Sequence, residues 1–343
     1  MSGAAGPDFI VLTGFLGSGK TTLLRDFLGH PDSANTAVIV NEVGEIGLDG
    51  AILRESGDGT PIAMLSNGCI CCQAGTDLSH TVEMLLLAER PGASGPLRRI
   101  ILETSGLSKP GPVLRQLAGL AAHRLRVTVV ATFDATRGTE TADFEEAASQ
   151  WAAAHRIVVT KADVASAEEW TRAPAAIAAL NPLTEIVASR ARSDVVTAAF
   201  APLAGIAPMP VPPRVASQTS HPRIAVRLAR PTAMLAYDDL TFWLDNLAGA
   251  LGDRLLRVKG LVRVAESERP VLVQSVGTAF SSPRPFGDPT ATPPLFLVVI
   301  ARDLKPGELD TVLPAGLFAF SPWEAPASTG LADRAPVALL EWL

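Results

Sequence analysis

The sequence predicts an α/β protein: a domain with a mostly parallel sheet, followed by a smaller α+β domain. Three observations carry this. Up to residue 206, short apolar runs alternate with amphipathic stretches, the pattern of a parallel sheet covered on both faces. Residues 207–222 hold five prolines in sixteen positions and read as a linker. From 223 to 343 apolar runs recur with few helical patterns between them.

In the first domain the expected strands are 9–14, 37–42, 99–104, 127–134 and 156–163. Each is a buried-strand length ending in polar residues, and open parallel sheets bind ligands at those carboxyl ends. Helical patterns fall at 21–29, 77–90 and 166–180, with Pro174 expected near the start of the last or breaking it. In the second domain, strands are expected at 223–229, 254–266, 270–277 and 295–303. Residues 237–251 predict a helix that puts Leu240, Trp243, Leu244, Leu247 and Leu251 on one face. There is no internal repeat and no low-complexity tract.

Composition narrows the function classes. With 48% hydrophobic and 19% charged residues over 343 positions, the chain can bury sizeable cores. A formal net charge of −6 argues against nucleic acid or an anionic membrane surface as main partner. No apolar run approaches the ~18 residues of a membrane span. No Lys or Arg precedes Lys20, so the charged start of a signal peptide is missing. A cytoplasmic location is expected, where thiols stay reduced.

The most specific motif is GFLGSGKT, residues 14–21, which matches G-x-x-x-x-G-K-[ST] between an expected strand and an expected helix. Gly14, Gly17 and Gly19 let backbone N–H groups around Ser18 turn toward phosphate oxygens. Lys20 supplies a positive charge for the β- and γ-phosphates, and the Thr21 hydroxyl is a ligand for Mg²⁺. In ILETSG, Glu103 ends a strand and is placed to hold a magnesium-bound water or orient the attacking one. Gly106 is placed to bring its backbone near the γ-phosphate. Asp134 is a weaker strand-end acid that also suits a turn.

TKAD, residues 160–163, ends another strand. Asp163 there can accept from the N1–H and the exocyclic amine of guanine, whereas adenine would leave the carboxylate unpaired. Lys161 would lay its aliphatic stem along the base. The pair favours GTP over ATP.

Between these motifs, NEVGEIGLDG (41–50) carries Glu42, Glu45 and Asp49, in the interval where P-loop GTPases change shape with the γ-phosphate. Asp49 is a candidate for magnesium contact or water activation, and Glu42 for the metal site. SNGCICC follows and holds every cysteine of the chain: Cys69, Cys71 and Cys72. A disulfide within so short a span is strained. Three thiolates on one turn can face one Zn²⁺ and leave its fourth position to water, to Glu42 or to a ligand from another protein. Softness favours Zn²⁺, with Co²⁺ or Cu(I) as other fits. Exposed thiolates of this kind also suit a redox sensor.

In order along the chain, TGFLGSGKTTLL, NEVGEIGLD, NGCICC, ETSGLSKP and TKAD resemble the CobW-like family of P-loop GTPases, in the SIMIBI class. LLRVKGLVRV, RPVLVQSVG and LFLVVIARD resemble that family's C-terminal domain. The resemblance implies a GTP-hydrolysing metallochaperone that delivers metal to a client metalloprotein, usually zinc and sometimes in the service of cobalt (Co²⁺) or iron (Fe²⁺) enzymes. It implies Mg²⁺-GTP at Gly14 to Thr22, transition metal at Cys69, Cys71 and Cys72, and guanine recognition at Lys161 and Asp163. It leaves a homodimer across the nucleotide open as an assembly. The chain departs from the family in three places. It has no His-rich stretch, with five histidines scattered along it. Thr160 stands where N-K-x-D has Asn, so weaker guanine binding is expected. QSVG lacks a histidine that relatives often carry. The rival readings are a redox-sensing regulatory GTPase and, further off, a kinase-like phosphotransferase.

Overall fold

A computed structural model describes residues 6–41, 62–65, 76–88, 95–203, 221–286 and 295–323. The chain divides into two compact units, one drawn from Met1–Pro174 and Glu185–Leu203, the other from Ala175–Thr184 and Ala204–Ala338.

The first unit is built on a seven-stranded sheet among the described residues. Its strands are β1 (Asp8–Thr13), β2 (Thr36–Asn41), β3 (Ile62–Leu65), β4 (Arg99–Glu103), β5 (Arg126–Asp134), β6 (Arg156–Thr160) and β7 (Glu185–Val187). They lie in the order β3-β2-β4-β1-β5-β6-β7, and every pairing is parallel. The strands that flank β1 lead away in opposite directions, so the strand order reverses there. Open parallel sheets take their ligands beyond the carboxyl ends of the strands at such a reversal.

The helices follow from periodic burial. They are α1 (Lys20–Leu28), α2 (Thr76–Leu87), α3 (Pro110–Ala118), α4 (Glu145–Ala153), α5 (Ala167–Leu180) and α6 (Arg192–Phe200). On one sheet face, Leu23, Leu24 and Phe27 of α1 and Phe200 of α6 pack over Ile10, Leu12, Val38, Ile101 and Val130. Phe27 and Phe200 meet with ring centroids 4.3 Å apart. Successive residues of a strand point to opposite faces. Phe133, three places after Val130, therefore faces the other side, where it meets Trp151 of α4 at 4.9 Å.

Helix α5 corrects the expectation for Pro174, which lies inside a helix that runs on to Leu180. Two gains offset the amide that proline lacks. Ser166 and Glu169 form a reciprocal capping box, in which the Ser166 amide donates to the Glu169 carboxylate at 2.7 Å and the Glu169 amide donates to the Ser166 hydroxyl at 3.2 Å. The helix also buries Ala173, Ile177 and Leu180.

The second unit carries an antiparallel sheet of seven strands among the described residues. These are β8 (Ile224–Pro231), β9 (Leu255–Val262), β10 (Val271–Val276), β11 (Ala279–Phe280), β12 (Arg284–Pro285), β13 (Phe296–Arg302) and β14 (Phe318–Pro322). The order is β11-β10-β9-β13-β8-β14, with β12 also on β10. The helix α7 (Tyr237–Leu251) buries the five residues its periodicity selects, against Val258, Val262, Val273, Leu297 and Val299. The strand expected over 254–266 stops at Val262, and Val264 instead forms a lone bridge with Leu235. No helix among the described residues is long and apolar enough to cross a membrane.

Candidate functional site

The site grows out of the end of β1. After Thr13 the chain turns through Gly14, Gly17 and Gly19, with φ of +145°, +69° and +92°. These are conformations that side chains disfavour. A Cβ on Gly14 would stand 2.0 Å from the Thr132 hydroxyl oxygen, so that position tolerates none. Gly19 leads directly into α1. The amino end of α1, the positive end of its dipole, thus follows directly on the glycine turn.

Side chains lock this loop in place. The buried Lys20 ammonium donates to the carbonyls of Gly14 at 2.8 Å and Phe15 at 3.2 Å. The hydroxyl oxygens of Ser18 and Thr132 lie 2.6 Å apart. Thr21 donates to Glu103 Oε1 at 2.6 Å. Glu103 is buried at the carboxyl end of β4, next to β1. A hydroxyl and a carboxylate side by side form the hard oxygen donor set that Mg²⁺ takes, so these residues fit that ion. Thr22 is exposed on the first turn of α1.

Gly106 presses on the loop itself. A Cβ there would come within 2.7 Å of the Leu16 backbone nitrogen and 2.9 Å of its Cα. On the other flank, the single Thr160 hydroxyl hydrogen is shared between the Ser18 carbonyl at 2.8 Å and the Phe133 carbonyl at 3.1 Å. Thr160 thus braces the phosphate loop.

Lys161 adopts a left-handed φ of +59°, and its ammonium reaches Asp134 at 2.6 Å. Asp134 also accepts from the Thr136 amide at 3.0 Å and the Thr136 hydroxyl at 2.6 Å. Burial pushes its pKa up, but the donors from Lys161 and Thr136 outweigh this and hold it below the usual carboxylate value. Asp163 is exposed. The neighbouring Ala162 carbonyl accepts from Arg190 at 2.8 Å, and the Arg190 guanidinium lies over the Trp170 ring at 5.0 Å.

Glu42, Asp49, Cys69, Cys71 and Cys72 lie outside the described residues. The strands beside them fix only where the chain departs and returns. Val40 pairs in register with Glu103, and Asn41 with Leu65. Strands β2 and β3 therefore both end on the side of the sheet where Glu103 ends β4. Among the described residues, no group of three or more His, Cys, Asp or Glu is arranged to hold a metal.

Several contributors escaped the sequence reading: Thr132, Arg137, Gln150 and Arg190. Arg137 donates to the Leu16 carbonyl at 3.0 Å. Gln150 donates to the carbonyls of Gly106 and Ser108, each at 3.0 Å. Phe144 stacks on Phe15 at 4.8 Å. None belongs to a local motif, because each works through a partner at least twenty positions away in the chain.

A glycine loop between a central parallel strand and a helix, with a buried lysine and a threonine–carboxylate pair, defines a P-loop nucleotide-binding protein. The chain belongs to the CobW family: the CobW/HypB/UreG nucleotide-binding domain matches residues 8–188, and the cobalamin synthesis protein cobW C-terminal domain matches residues 225–317. The zinc chaperone YjiA of Escherichia coli (strain K12) is 30% identical over 289 residues, 81% of this chain and 89% of its own. The zinc chaperone CobW of Pseudomonas aeruginosa is 29% identical over 307 residues, covering 79% of this chain and 80% of its own. The crystal structure of Zn(II)-bound YjiA GTPase from E. coli shares the fold, with a TM-score of 0.66 at 23% identity, over 92% of this chain and 99% of that one.

Proposed function

We propose that the chain hydrolyses GTP and uses the cycle to bind a transition metal and deliver it to a client metalloprotein. Zn²⁺ is the favoured cargo, and Co²⁺ and Fe²⁺ are the alternatives. The observation that carries the reading is the Thr21–Glu103 pair at 2.6 Å beneath the loop of Gly14 to Lys20. The relatives named as zinc chaperones support the choice of cargo. In this reading residues 1–206 form the GTPase domain, 207–222 a connection and 223–343 the C-terminal domain.

In the proposed cycle the backbone N–H groups of Gly17, Ser18 and Gly19 and the Lys20 ammonium bind the phosphates. Thr21 would hold Mg²⁺, which would supply charge neutralisation for the phosphates. Glu103, with Asp49, orients a water toward the γ-phosphorus. The new P–O bond forms as the bond to the β–γ bridging oxygen breaks, giving GDP and phosphate. Lys161, its ammonium anchored on Asp134, extends its stem along guanine, and Asp163 accepts from the ring N1–H and the amine. Thr160 has its hydroxyl committed to Ser18 and Phe133, so the base is read by two residues of this motif.

The cargo site is Cys69, Cys71 and Cys72, with Glu42 as a fourth ligand. The strands that precede these ligands, β2 and β3, end on the same side of the sheet as Glu103, which supports coupling between metal and nucleotide in this reading. Such coupling is reciprocal: if GTP tightens metal binding, metal tightens GTP binding by the same factor. A cytoplasmic setting keeps the thiolates reduced, and a homodimer across the nucleotide is compatible with the reading.

Elemental analysis of protein purified with and without GTP, repeated on Cys69→Ser, tests it. The expected result is about one zinc per chain that Cys69→Ser abolishes. Metal that survives this change, or identical GTP affinity with and without zinc, overturns the reading. Metal-free protein whose GTP turnover responds to peroxide would instead favour a redox sensor.

A further inference from the structure

Helix α4 carries a side chain that none of the nucleotide motifs includes. Gln150 is fully buried, and its amide nitrogen donates to the carbonyls of Gly106 and Ser108, each at 3.0 Å. Both carbonyls belong to the loop that begins right after Glu103. Its other bonds among the described residues lie at its start and inside its own turn: the Thr104 hydroxyl reaches Thr13 at 3.1 Å, and Leu107 N–H donates to the Ser105 hydroxyl at 3.4 Å. Ser108 N–H closes a turn on the Ser105 carbonyl at 3.0 Å, and Thr104 N–H reaches Leu12 at 3.0 Å.

The loop is in turn pressed on the phosphate loop, since Gly106 has room for no Cβ beside the Leu16 backbone. The next residue of α4 reaches the other flank. Trp151 donates its indole N–H to the Thr132 carbonyl at 3.0 Å, and the Thr132 hydroxyl sits 2.6 Å from that of Ser18. Two consecutive residues of one helix thus brace both sides of the Gly14–Lys20 turn. A second tether, Lys109 with Glu145, joins the far end of the same loop to the start of α4.

We infer that Gln150 is a positioning residue for GTP hydrolysis, holding the Thr104–Lys109 loop against the phosphate loop so that Glu103 stays on the Thr21 side of the site. The inference rests on the GTPase reading above. Its chemistry is donor geometry. A carboxamide N–H₂ offers two hydrogens to two carbonyls at once, which an apolar side chain of the same length does not. Freed of Gln150, the loop can shift by an ångström, and misplacement on that scale lowers rates without removing a reacting group. The bonds lie on the Glu103 side, away from Lys161 and Asp163, so nucleotide affinity is expected to change less than turnover.

The test is Gln150→Met, with steady-state GTP turnover, GDP affinity by titration and thermal unfolding measured on the same preparation. The expected result is a fall in kcat of ~10- to 100-fold, with GDP affinity within about twofold of the parent, as expected for a group whose contribution is confined to the reacting state. Parent-like kcat in folded Gln150→Met protein overturns the inference. So does a parallel loss of kcat, GDP affinity and melting temperature, the signature of a merely structural residue. If Gln150→Met does not fold, Lys109→Met decides, because it loosens the same loop from the same helix: lowered kcat with GDP affinity kept supports the inference, and unchanged kcat overturns it. Parent protein with no GTP turnover at all would sink the GTPase reading and this inference with it, whereas an active parent with an unaffected variant sinks this inference alone.

Discussion

The Thr21 hydroxyl and the Glu103 carboxylate lie 2.6 Å apart, joining the start of α1 to the end of β4 across the mouth of the sheet. This bond places a metal-ligating hydroxyl and an acid side by side, although 82 positions separate them in the chain. Glu103→Gln keeps the shape and removes the charge. It is expected to retain GTP binding while turnover falls ~10²- to 10⁴-fold, the range for a positioned acid–base group. Phosphate release measured at saturating magnesium checks it, and wild-type turnover would remove Glu103 from the mechanism.

Thr160 braces Ser18 and Phe133 with one hydroxyl. Thr160→Ala leaves the Ser18 carbonyl without this donor, at a cost of about 0.5–1.5 kcal/mol. A several-fold loss of affinity for GTP and GDP alike is expected, read by nucleotide titration. An effect on GTP over ATP preference with no change in phosphate affinity would instead make Thr160 a base-reading residue.

Gly106 has no room for a methyl group beside the Leu16 backbone. Gly106→Ala must push the loop or the phosphate turn aside. A kcat reduced by about tenfold or more is expected, with a melting temperature lowered by a few degrees, as overpacking of about 1–3 kcal/mol implies. Unchanged turnover and melting would show that the loop yields freely.

Lys259 gives the second unit a pH-dependent stability. It is buried on β9, two residues from Arg257 and so on the same face, opposite Gln274 of β10 and Val298 of β13. Burial first, and then the Arg257 charge, pull its pKa from 10.5 down to about 7. The folded protein thus binds this proton more weakly than the unfolded chain does. Stability is lowest below pH 7, where both states carry the proton, and rises on the order of 1.4 kcal/mol per pH unit from 7 toward 10.5. Lys259→Met removes that slope and is expected to stabilise the unit at neutral pH. Thermal unfolding of both proteins from pH 6.5 to 9.5 measures the difference, and parallel curves would count against it.

The sequence by itself determined the elements whose signal is local. The phosphate turn is legible in Gly14 to Thr21 because left-handed backbone needs glycine and a phosphate needs N–H groups and a lysine within a few residues. The parallel sheet is legible because strands buried on both faces read as unbroken apolar runs, and α7 because five apolar residues share its inner face. The short strands Ile62–Leu65 and Glu185–Val187 and the edge strand Phe318–Pro322 carry little pattern of their own and are placed by their neighbours. Pro174 misled because a rule about one residue was outweighed by a capping box and three buried side chains. The working parts of the site were decided by tertiary structure alone. That Thr21 meets Glu103, that Thr160 holds Ser18 instead of facing outward, and that Gln150 grips the loop after β4 all depend on strand order. Strand order brings residues tens of positions apart within hydrogen-bond reach, and no local pattern in a sequence encodes a distance of that kind.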